Sequence, residues 1–317
     1  MVLSGVIDRL APLQAWLFPQ RVYLQIEDQW LTAMAIEGSS LRWLERVPLP
    51  DGLCLNGEPL LPDALGDLLG DWLVERGYPG ARIKLVLPRA ATCWRMIAWP
   101  QGRWPEQPEL AVREQEQQLA LPWSLEGQIE GADLWLQPLS TPPPRSLMQA
   151  ARRQVLEGWI EVCALAGVAL HGMEASWLCL ARAAAAVLPP AARGSCALLL
   201  QLGEAQSWLL AFTAQQPLGE WPLPGRDQPE ALSAALARWK RFWQNQPDGL
   251  PVQQLLVAGA AASSLDPLAE ALGCDATWLD PLAAGWLADG RSAERADNGA
   301  AADLAVLWGL ALTEQLR

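Results

Sequence analysis

Residues 24–35 are Leu24-Gln25-Ile26-Glu27-Asp28-Gln29-Trp30-Leu31-Thr32-Ala33-Met34-Ala35, and a similar pattern returns as Leu200-Gln201-Leu202-Gly203 followed by Trp208-Leu209-Leu210-Ala211-Phe212. Each copy predicts a strand, a tight turn and a second strand, because apolar residues flank a short polar segment at similar offsets. The second turn is two residues longer than the first. About half the chain separates the copies, which predicts a duplicated unit and a two-lobed α/β protein.

The same order of elements surrounds each copy. After the first, a third strand and a helix beginning at Pro62 lead to the apolar strand 83–87. After the second, a third strand and a helix beginning at Pro229 lead to the strand 254–257. Both halves therefore predict the order β-β-β-α-β.

A small β-α-β insert is predicted at about 89–141, within the first half. It contains a strand at 92–99, a helix rich in Glu and Gln near 108–120, and a strand at 132–136. The run Pro142-Pro143-Pro144 cannot continue a helix and predicts a linker after the insert. Beyond it the sequence predicts a strand at 146–151 and, after Thr277, a loop rich in Gly, Ala and Asp.

The composition narrows the class of protein. The 317 residues are 51% hydrophobic, enough for two cores, yet no stretch approaches the roughly 20 apolar residues needed to cross a bilayer. The N-terminus lacks the pattern of a secretory signal, so no export is expected. The net charge of −12 disfavours nucleic-acid binding, because an acidic surface repels phosphates. The six cysteines include no CxxC pair, which predicts neither zinc nor disulfides and fits a reducing cytoplasm.

Other candidate chemistry is weakly supported. The only histidine is His171, and without a G-x-S-x-G elbow a satisfied structural histidine is expected. Asp63, Asp67 and Asp71 share one helix face and could hold a cation, but a solvated acidic face is the commoner arrangement. No catalytic residue and no metal site is predicted.

The tryptophans and one basic helix have ordinary explanations as well. The 18 tryptophans are scattered among apolar neighbours, which indicates core and cleft packing. The helix carrying Arg238, Lys240 and Arg241 could rest on anionic lipid, but Leu236 and Trp239 follow core spacing. The cations then form its solvent face.

Several degenerate motifs in order point to one family. The chain resembles, nearly end to end, the bacterial type IV pilus assembly protein PilM family, members of the actin-like ATPase superfamily related to FtsA. No single motif identifies the family, but the order and spacing of all the motifs together do. The motifs are Tyr23 to Asp28, Val86-Leu87-Pro88, Glu109 to Glu116, Gln201-Leu202-Gly203, Ala258-Gly259-Ala260-Ala261 and Leu304 to Leu312.

This resemblance implies a two-lobed actin-like (ribonuclease H-like) fold with the small insert in the first lobe. The expected divisions are a first lobe at 1–174 that includes the insert at 89–141, a second lobe at 175–302, and a C-terminal helix at 303–317 packing back toward the first lobe.

The resemblance also locates a nucleotide cleft, and its residues predict loss of activity. Actin-like phosphate loops need an Asp that orders the metal's waters and small residues that admit the phosphates. Here Gln25 and Gln201 stand at the Asp positions, and Glu27 adds a repelling carboxylate. Gly203 and Gly259 remain from the glycines of the later loops. A pseudo-ATPase without bound ATP or Mg²⁺ is expected; an ATP-binding ATPase of the same machinery is the alternative.

Members of the family bind the cytoplasmic N-terminal peptide of PilN, an inner-membrane protein. The resemblance therefore implies a cytoplasmic adaptor held at the inner membrane through partners, namely a PilN-like peptide and other inner-membrane pilus components, in a pilus, secretion or DNA-uptake machine. A GspL-like secretion domain is a further alternative. The peptide groove is expected at Leu24, Ile26, Trp30, Trp94 and Trp99.

Overall fold

The first copy of the repeated pattern forms a central hairpin in a six-stranded sheet of the computed structural model. The structure describes residues 20–99, 103–126, 131–139, 144–188, 195–213, 216–246, 249–259, 264–282, 285, 287–295 and 303–315. The strands of the first half are β1 Arg21–Ile26, β2 Trp30–Glu37, β3 Ser40–Pro48, β4 Cys54–Leu55, β5 Glu58–Pro59, β6 Arg82–Leu87, β7 Thr92–Ala98, β8 Ala132–Leu139, β9 Arg145–Arg152 and β10 Ala169–Ala175. Those of the second half are β11 Cys196–Gln201, β12 Gln206–Phe212, β13 Pro217–Pro224, β14 Val252–Ala258, β15 Asp275–Trp278 and β16 Ala288–Arg295.

Helices alternate with these strands, as an α/β fold requires. They are α1 Pro62–Glu75, α2 Pro108–Glu114, α3 Glu116–Leu119, α4 Arg153–Leu165, α5 Ser176–Val187, α6 Pro229–Gln244, α7 Asp266–Leu272 and α8 Leu304–Gln315. The chain divides into two compact units, one of Met1–Ile36 with Trp43–Ser176 and one of Glu37–Arg42 with Trp177–Arg317. The order β-β-β-α-β is confirmed in both.

The six-stranded sheet has the order β10-β6-β1-β2-β3-β16. β1 runs antiparallel to β2 and parallel to β6, so it lies inside the sheet, and five of its six residues are buried. Packed against this sheet, α1 and α4 bury Leu69, Trp72 and Trp159 in one core. β16 lies where the sequence predicts a loop, and that expectation is wrong. Its first residue, Ala288, donates a backbone hydrogen bond of 2.8 Å to Ser39.

Two glycines bring α1 and α4 into close contact. A Cβ on Gly66 would overlap the Leu165 side chain, and one on Gly70 would lie 3.1 Å from the carbonyl oxygen of Ala166. The spacing of these glycines places both on the face of α1 that meets α4. The two helices therefore form one layer over the sheet.

The insert forms its own three-stranded sheet, in the order β7-β9-β8. Its central strand, β9, is the strand expected at 146–151, so the sheet extends past the predicted end at 141. The expected single helix is divided into α2 and α3, and Ala120 after α3 has a left-handed φ of 47°. A small core containing Val112 and Met148 holds the insert together.

The second unit contains a five-stranded sheet in the order β13-β12-β11-β14-β15. Its core is covered by α6, whose buried Leu236 and Trp239 follow the predicted helical spacing. Elsewhere in this unit α8 packs closely on α5, where a Cβ on Gly309 would overlap the carbonyl oxygen of Cys179 and Arg182 donates a 2.8 Å hydrogen bond to the Gly309 carbonyl. The expected packing of α8 toward the first lobe stays a prediction.

Candidate functional site

The turn between β1 and β2 is a two-residue hairpin turn made of Asp28 and Gln29. The backbone N–H of Glu27 donates to the carbonyl of Trp30 over 2.9 Å, and the N–H of Trp30 donates back over 3.3 Å. Oδ1 of Asp28 accepts a 3.1 Å hydrogen bond from the N–H of Gly57. Gly57 has a φ of 76°, and a Cβ there would overlap Pro88, so only glycine fits. The first turn is thus fixed to the β4–β5 hairpin.

Side chains near this turn satisfy one another. Glu27 pairs with Arg46 over 3.1 Å, and its other carboxylate oxygen accepts a hydrogen bond of 3.3 Å from the amide of Gln25. The Arg46 guanidinium also lies over the Trp30 ring, 4.6 Å from its centroid. Both oxygens of the expected repelling carboxylate are therefore engaged within the protein. A cation–π contact of this kind adds a further stabilising link between β2 and β3.

A cleft of about 390 Å³ opens beside the turn, entirely within the first unit. Its walls come from the turn, the β4–β5 hairpin and the segment that leads from β6 into the insert. The lining residues are Glu27, Asp28, Gln29, Trp30, Asn56, Gly57, Pro88 and Ala90. Apolar surface from Trp30, Pro88 and Ala90 thus faces two carboxylates.

The turn between β11 and β12 pairs its own backbone groups. The N–H of Gly203 donates to Oγ of Ser207 over 3.4 Å, and the Gly203 carbonyl accepts from Arg226 over 3.0 Å. Gly225 donates to the Ala205 carbonyl over 3.1 Å. A Cβ on either glycine would overlap a carbonyl oxygen of this turn. The backbone N–H of Gly203, which a phosphate loop would offer to an anion, is already paired.

Gly259 lies next to this second turn. It has a φ of 129°, and a Cβ there would lie 2.9 Å from the carbonyl oxygen of Leu202. The N–H of Leu202 donates to Ala258 over 2.8 Å. The structure thus brings Gly203 and Gly259 together in the second unit. The remainder of this expected adenosine loop, Ala260 and Ala261, lies outside the described residues.

The residues expected to form a peptide groove are mostly core residues. Leu24 and Ile26 are at most 1% exposed in the main core of the first unit. Trp94 and Trp99 are 5% and 4% exposed, and Nε1 of Trp99 donates to Oγ of Ser146 over 2.9 Å. These four side chains are therefore not exposed walls of a groove, because packing covers them. Trp30 is half-buried and lines the cleft.

The cleft residues that sequence reasoning missed had weak signals. Asn56-Gly57 indicates a tight turn, and Pro88 belongs to the motif Val86-Leu87-Pro88 before the insert. Asp28 follows the first strand directly, where a polar residue is ordinary in a turn. Nothing in the sequence shows that these segments meet.

The remaining candidate residues from the sequence lie on the surface of the first unit. His171 is exposed on β10, and the expectation of a satisfied structural histidine stays a prediction. Asp63, Asp67 and Asp71 are all exposed on α1. Among the described residues, no group of three or more His, Cys, Asp or Glu side chains is placed to hold a metal ion. In the same part of the chain, no helix is both long and apolar enough to span a membrane.

The cysteines are structural. None of the six, all of which fall in the described ranges, forms a disulfide, and every one except Cys274 is buried. Burial raises the pKa of Cys54 and Cys196 to about 12 and that of Cys163 to about 11. A nucleophilic cysteine needs a lowered pKa, so these thiols are poorly suited to catalysis.

Comparisons with known proteins support the fold. No protein-family model and no curated protein matches the chain. The structure of a PilM–PilN type IV pilus biogenesis complex matches with a TM-score of 0.71 and 21% identity, over 93% of this chain and 98% of that one. A Bacteroides thetaiotaomicron protein of unknown function with an actin-like ATPase fold matches with a TM-score of 0.51 and 11% identity, over 83% and 91%.

A third structure, the cytoplasmic domain of EpsL from the type II secretion system of Vibrio cholerae, has a TM-score of 0.46 and 12% identity, over 93% of this chain and 95% of that one. The two higher scores, together with the duplicated β-β-β-α-β order and the inserted sheet, confirm the expected α/β architecture. The chain therefore has the actin-like ATPase fold and is similar in structure to PilM.

Proposed function

We propose that this protein is a PilM-like adaptor of a type IV pilus or related machine, and that it binds the cytoplasmic N-terminal peptide of a PilN-like inner-membrane protein. The observation that carries the proposal is the cleft beside the first turn. It borders both the opening hairpin and the entry to the insert, which are the two parts that flank the expected peptide groove. The likeness to a chain from a PilM–PilN type IV pilus biogenesis complex supports the same role.

The chemistry of the cleft suits a short stretch of peptide. Trp30 and Pro88 offer a rigid apolar surface, which anchors side chains at little entropic cost. Asp28 adds a carboxylate to the lining, which favours a peptide with a basic residue or a free amino group. At about 390 Å³ the cleft accommodates a few side chains.

The state of the two turns supports a role in binding without ATP hydrolysis. Glu27 is paired with Arg46 and Gln25, and the N–H of Gly203 is paired with Ser207. Neither Gln25 nor Gln201 supplies the negative charge that Mg²⁺ prefers in its surroundings. On this proposal the protein keeps the actin-like scaffold for its surfaces, and it resides in the cytoplasm at the inner membrane through its partners.

The experiment is a binding titration with a fluorescent peptide of about 20 residues, taken from the N-terminus of a small single-pass protein encoded beside this chain. Trp30→Ala and Ala90→Trp are expected to weaken binding about tenfold or more, the first by removing an anchor and the second by filling the cleft. The matched control is Phe242→Ala, which removes an aromatic ring that is 49% exposed in the second unit.

Unchanged binding by both cleft variants, or equal loss in the control, would overturn the assignment of this cleft. Failure of the wild-type protein to bind the peptide at all would overturn the adaptor role itself.

A further inference from the structure

The outer surface of α1 and α4 combines negative charge with exposed apolar side chains. We define the acidic helix face as the exposed carboxylates and apolar residues of these two helices. The carboxylates belong to Asp63, Asp67, Asp71, Glu75, Glu157 and Glu161, and the apolar residues are Leu61, Val74, Ile160 and Leu165. Leu61 directly precedes α1.

The two helices present these residues on the same side of the first unit. Both bury their opposite faces in one core, through Leu65 and Leu73 of α1 and Val155 and Val162 of α4. Gly66 and Gly70 of α1 lie against the end of α4, so the two helices are in contact there. Because both helices cover the same core and touch each other, their outward faces lie on the same side of the first unit.

Within the described ranges, the charged residues that define this face are all acidic. Among the described residues, none of its six carboxylates forms an ion pair or a side-chain hydrogen bond. The arginines nearest in sequence are engaged elsewhere, Arg76 with Glu45 and Arg153 with Asp133. Six carboxylates without an ion-pair partner on one side of the unit favour the approach of cationic groups.

Its exposed apolar residues are unusual for a purely solvated face. Val74 is 61% exposed, Leu61 54% and Ile160 53%, among the largest exposures of apolar side chains in the described residues. Large apolar side chains rimmed by one sign of charge are typical of a docking surface. A helix face that contacts only water would not require large apolar side chains at these positions.

We propose that the acidic helix face is a second docking surface, which binds a basic amphipathic segment of a protein partner. Lys or Arg side chains would lie against the carboxylates while Leu-type side chains cover Val74 and Ile160. The charge excludes two other occupants, since a second copy of this face and an anionic bilayer would both be repelled. This surface is separate from the cleft and does not depend on the PilN-like peptide.

The test uses a fluorescein-labelled synthetic peptide of about 18 residues, made of Lys and Leu with Leu at helical spacing, in anisotropy titrations at about 0.15 M NaCl. The face variant is Asp63→Asn, Asp67→Asn, Asp71→Asn and Glu75→Gln combined. Its control neutralises four exposed acids of the second unit, through Asp227→Asn, Glu230→Gln, Glu270→Gln and Asp275→Asn combined. Both variants change the net charge equally.

We expect the face variant to weaken peptide binding about tenfold or more and the control by less than about twofold. Val74→Ser with Ile160→Ser should weaken it about threefold or more without any change of charge, because both side chains are exposed and their replacement leaves the core intact. Trp30→Ala, which impairs the cleft, should leave this binding unchanged.

Equal losses in the two charge variants would mean general attraction to an acidic protein and would overturn the proposal. So would wild-type binding weaker than about 100 μM, or serine substitutions without effect. Circular dichroism of each variant confirms that a loss of binding is not a loss of folding.

Discussion

Nε1 of Trp72 in α1 donates a hydrogen bond of 3.2 Å to Oε2 of Glu45 in β3, which ties the helix to the sheet through a carboxylate that is only 8% exposed. The same oxygen accepts a hydrogen bond of 3.1 Å from Nε1 of Trp43, and the other carboxylate oxygen pairs with Arg76. Two indole N–H groups in the core thus depend on one acceptor. A buried carboxylate is tolerated where several donors surround it.

We predict that Glu45→Ala lowers the free energy of unfolding by about 2–4 kcal/mol, because it leaves the indole N–H groups of Trp43 and Trp72 without this acceptor. Urea unfolding followed by tryptophan fluorescence measures the change. Arg76→Ala is the matched comparison and should cost less than Glu45→Ala, because Arg76 is partly exposed and both indole N–H groups keep their acceptor. Similar costs in the two variants would show that the indole contacts add little.

Mg-ATP is predicted to leave the melting temperature unchanged. The carboxylate of Glu27 and the N–H of Gly203 are paired within the protein, and both Asp positions hold glutamine. Differential scanning fluorimetry with and without Mg-ATP checks this, beside an active actin-like ATPase as a positive control. Bound nucleotide at a hundred times its Kd would add about 2.7 kcal/mol. A rise of several degrees that EDTA abolishes would identify the protein as nucleotide-binding.

Gly309→Ala is predicted to destabilise the protein by about 2 kcal/mol or more, although alanine usually favours a helix over glycine by about 1 kcal/mol. The reason is that a Cβ at this position would overlap the carbonyl oxygen of Cys179 and separate α8 from α5. Gly172→Ala is the control, since a Cβ there meets nothing within 4 Å. Thermal unfolding of both variants measures the two changes in stability. A stabilising effect of Gly309→Ala would contradict the close contact between α8 and α5.

The buried thiols predict a loss of stability at alkaline pH. Burial raises the pKa of Cys163 from 9.0 to about 11, so above pH 9 the unfolded chain releases a proton that the folded chain retains. The free energy of unfolding therefore falls as the pH rises from about 9 to 11, by up to about 1.4 kcal/mol per pH unit for this thiol. In Cys163→Ala the alkaline slope should be shallower by that amount, as measured by urea unfolding at a series of pH values. Equal slopes would contradict the raised pKa.

The order of elements was predictable because local patterns carry it. Pro62 and Pro229 mark helix starts that the structure confirms, and apolar runs mark the strands between them. The groove was not predictable in the same way. Leu24 and Ile26 lie in a strand covered on both faces, so their apolar character indicates burial as readily as binding. Only the tertiary contact of Gly57 with Asp28 and Pro88 forms the cleft, and no local pattern encodes it.

The insert shows a second limit of sequence patterns. A strand at 146–151 was predicted correctly, but its pairing as the centre of the small sheet depends on contacts with residues far along the chain. β16 was missed because Gly, Ala and Asp disfavour strands when they are considered alone. Pairing with a neighbouring strand overrides such weak propensities.

The acidic stripe on α1 predicts a gain of stability when one of its charges is reversed. Asp71 lies one helical turn from Asp67 and from Glu75, and all three are exposed. Like charges at this spacing cost about 0.2–0.5 kcal/mol per pair, and α1 has no basic residue in its last turn to complement the helix dipole. Asp71→Lys should therefore raise the free energy of unfolding by about 1 kcal/mol, because it converts two repulsions into attractions and places a cation near the helix end.

Asp63→Lys is the matched control with the opposite sign. Asp63 lies in the first turn of α1, where a negative charge is favourable, so its reversal should lower stability or leave it unchanged. Urea unfolding at low salt and at about 1 M NaCl distinguishes the mechanism, since high salt should remove most of both effects. If Asp71→Lys stabilises the protein and also weakens binding of the Lys and Leu peptide, then the stripe reduces folding stability at the same positions where it supports docking. A stabilised variant that binds the peptide as well as wild type would instead mean that Asp71 is not part of the docking surface.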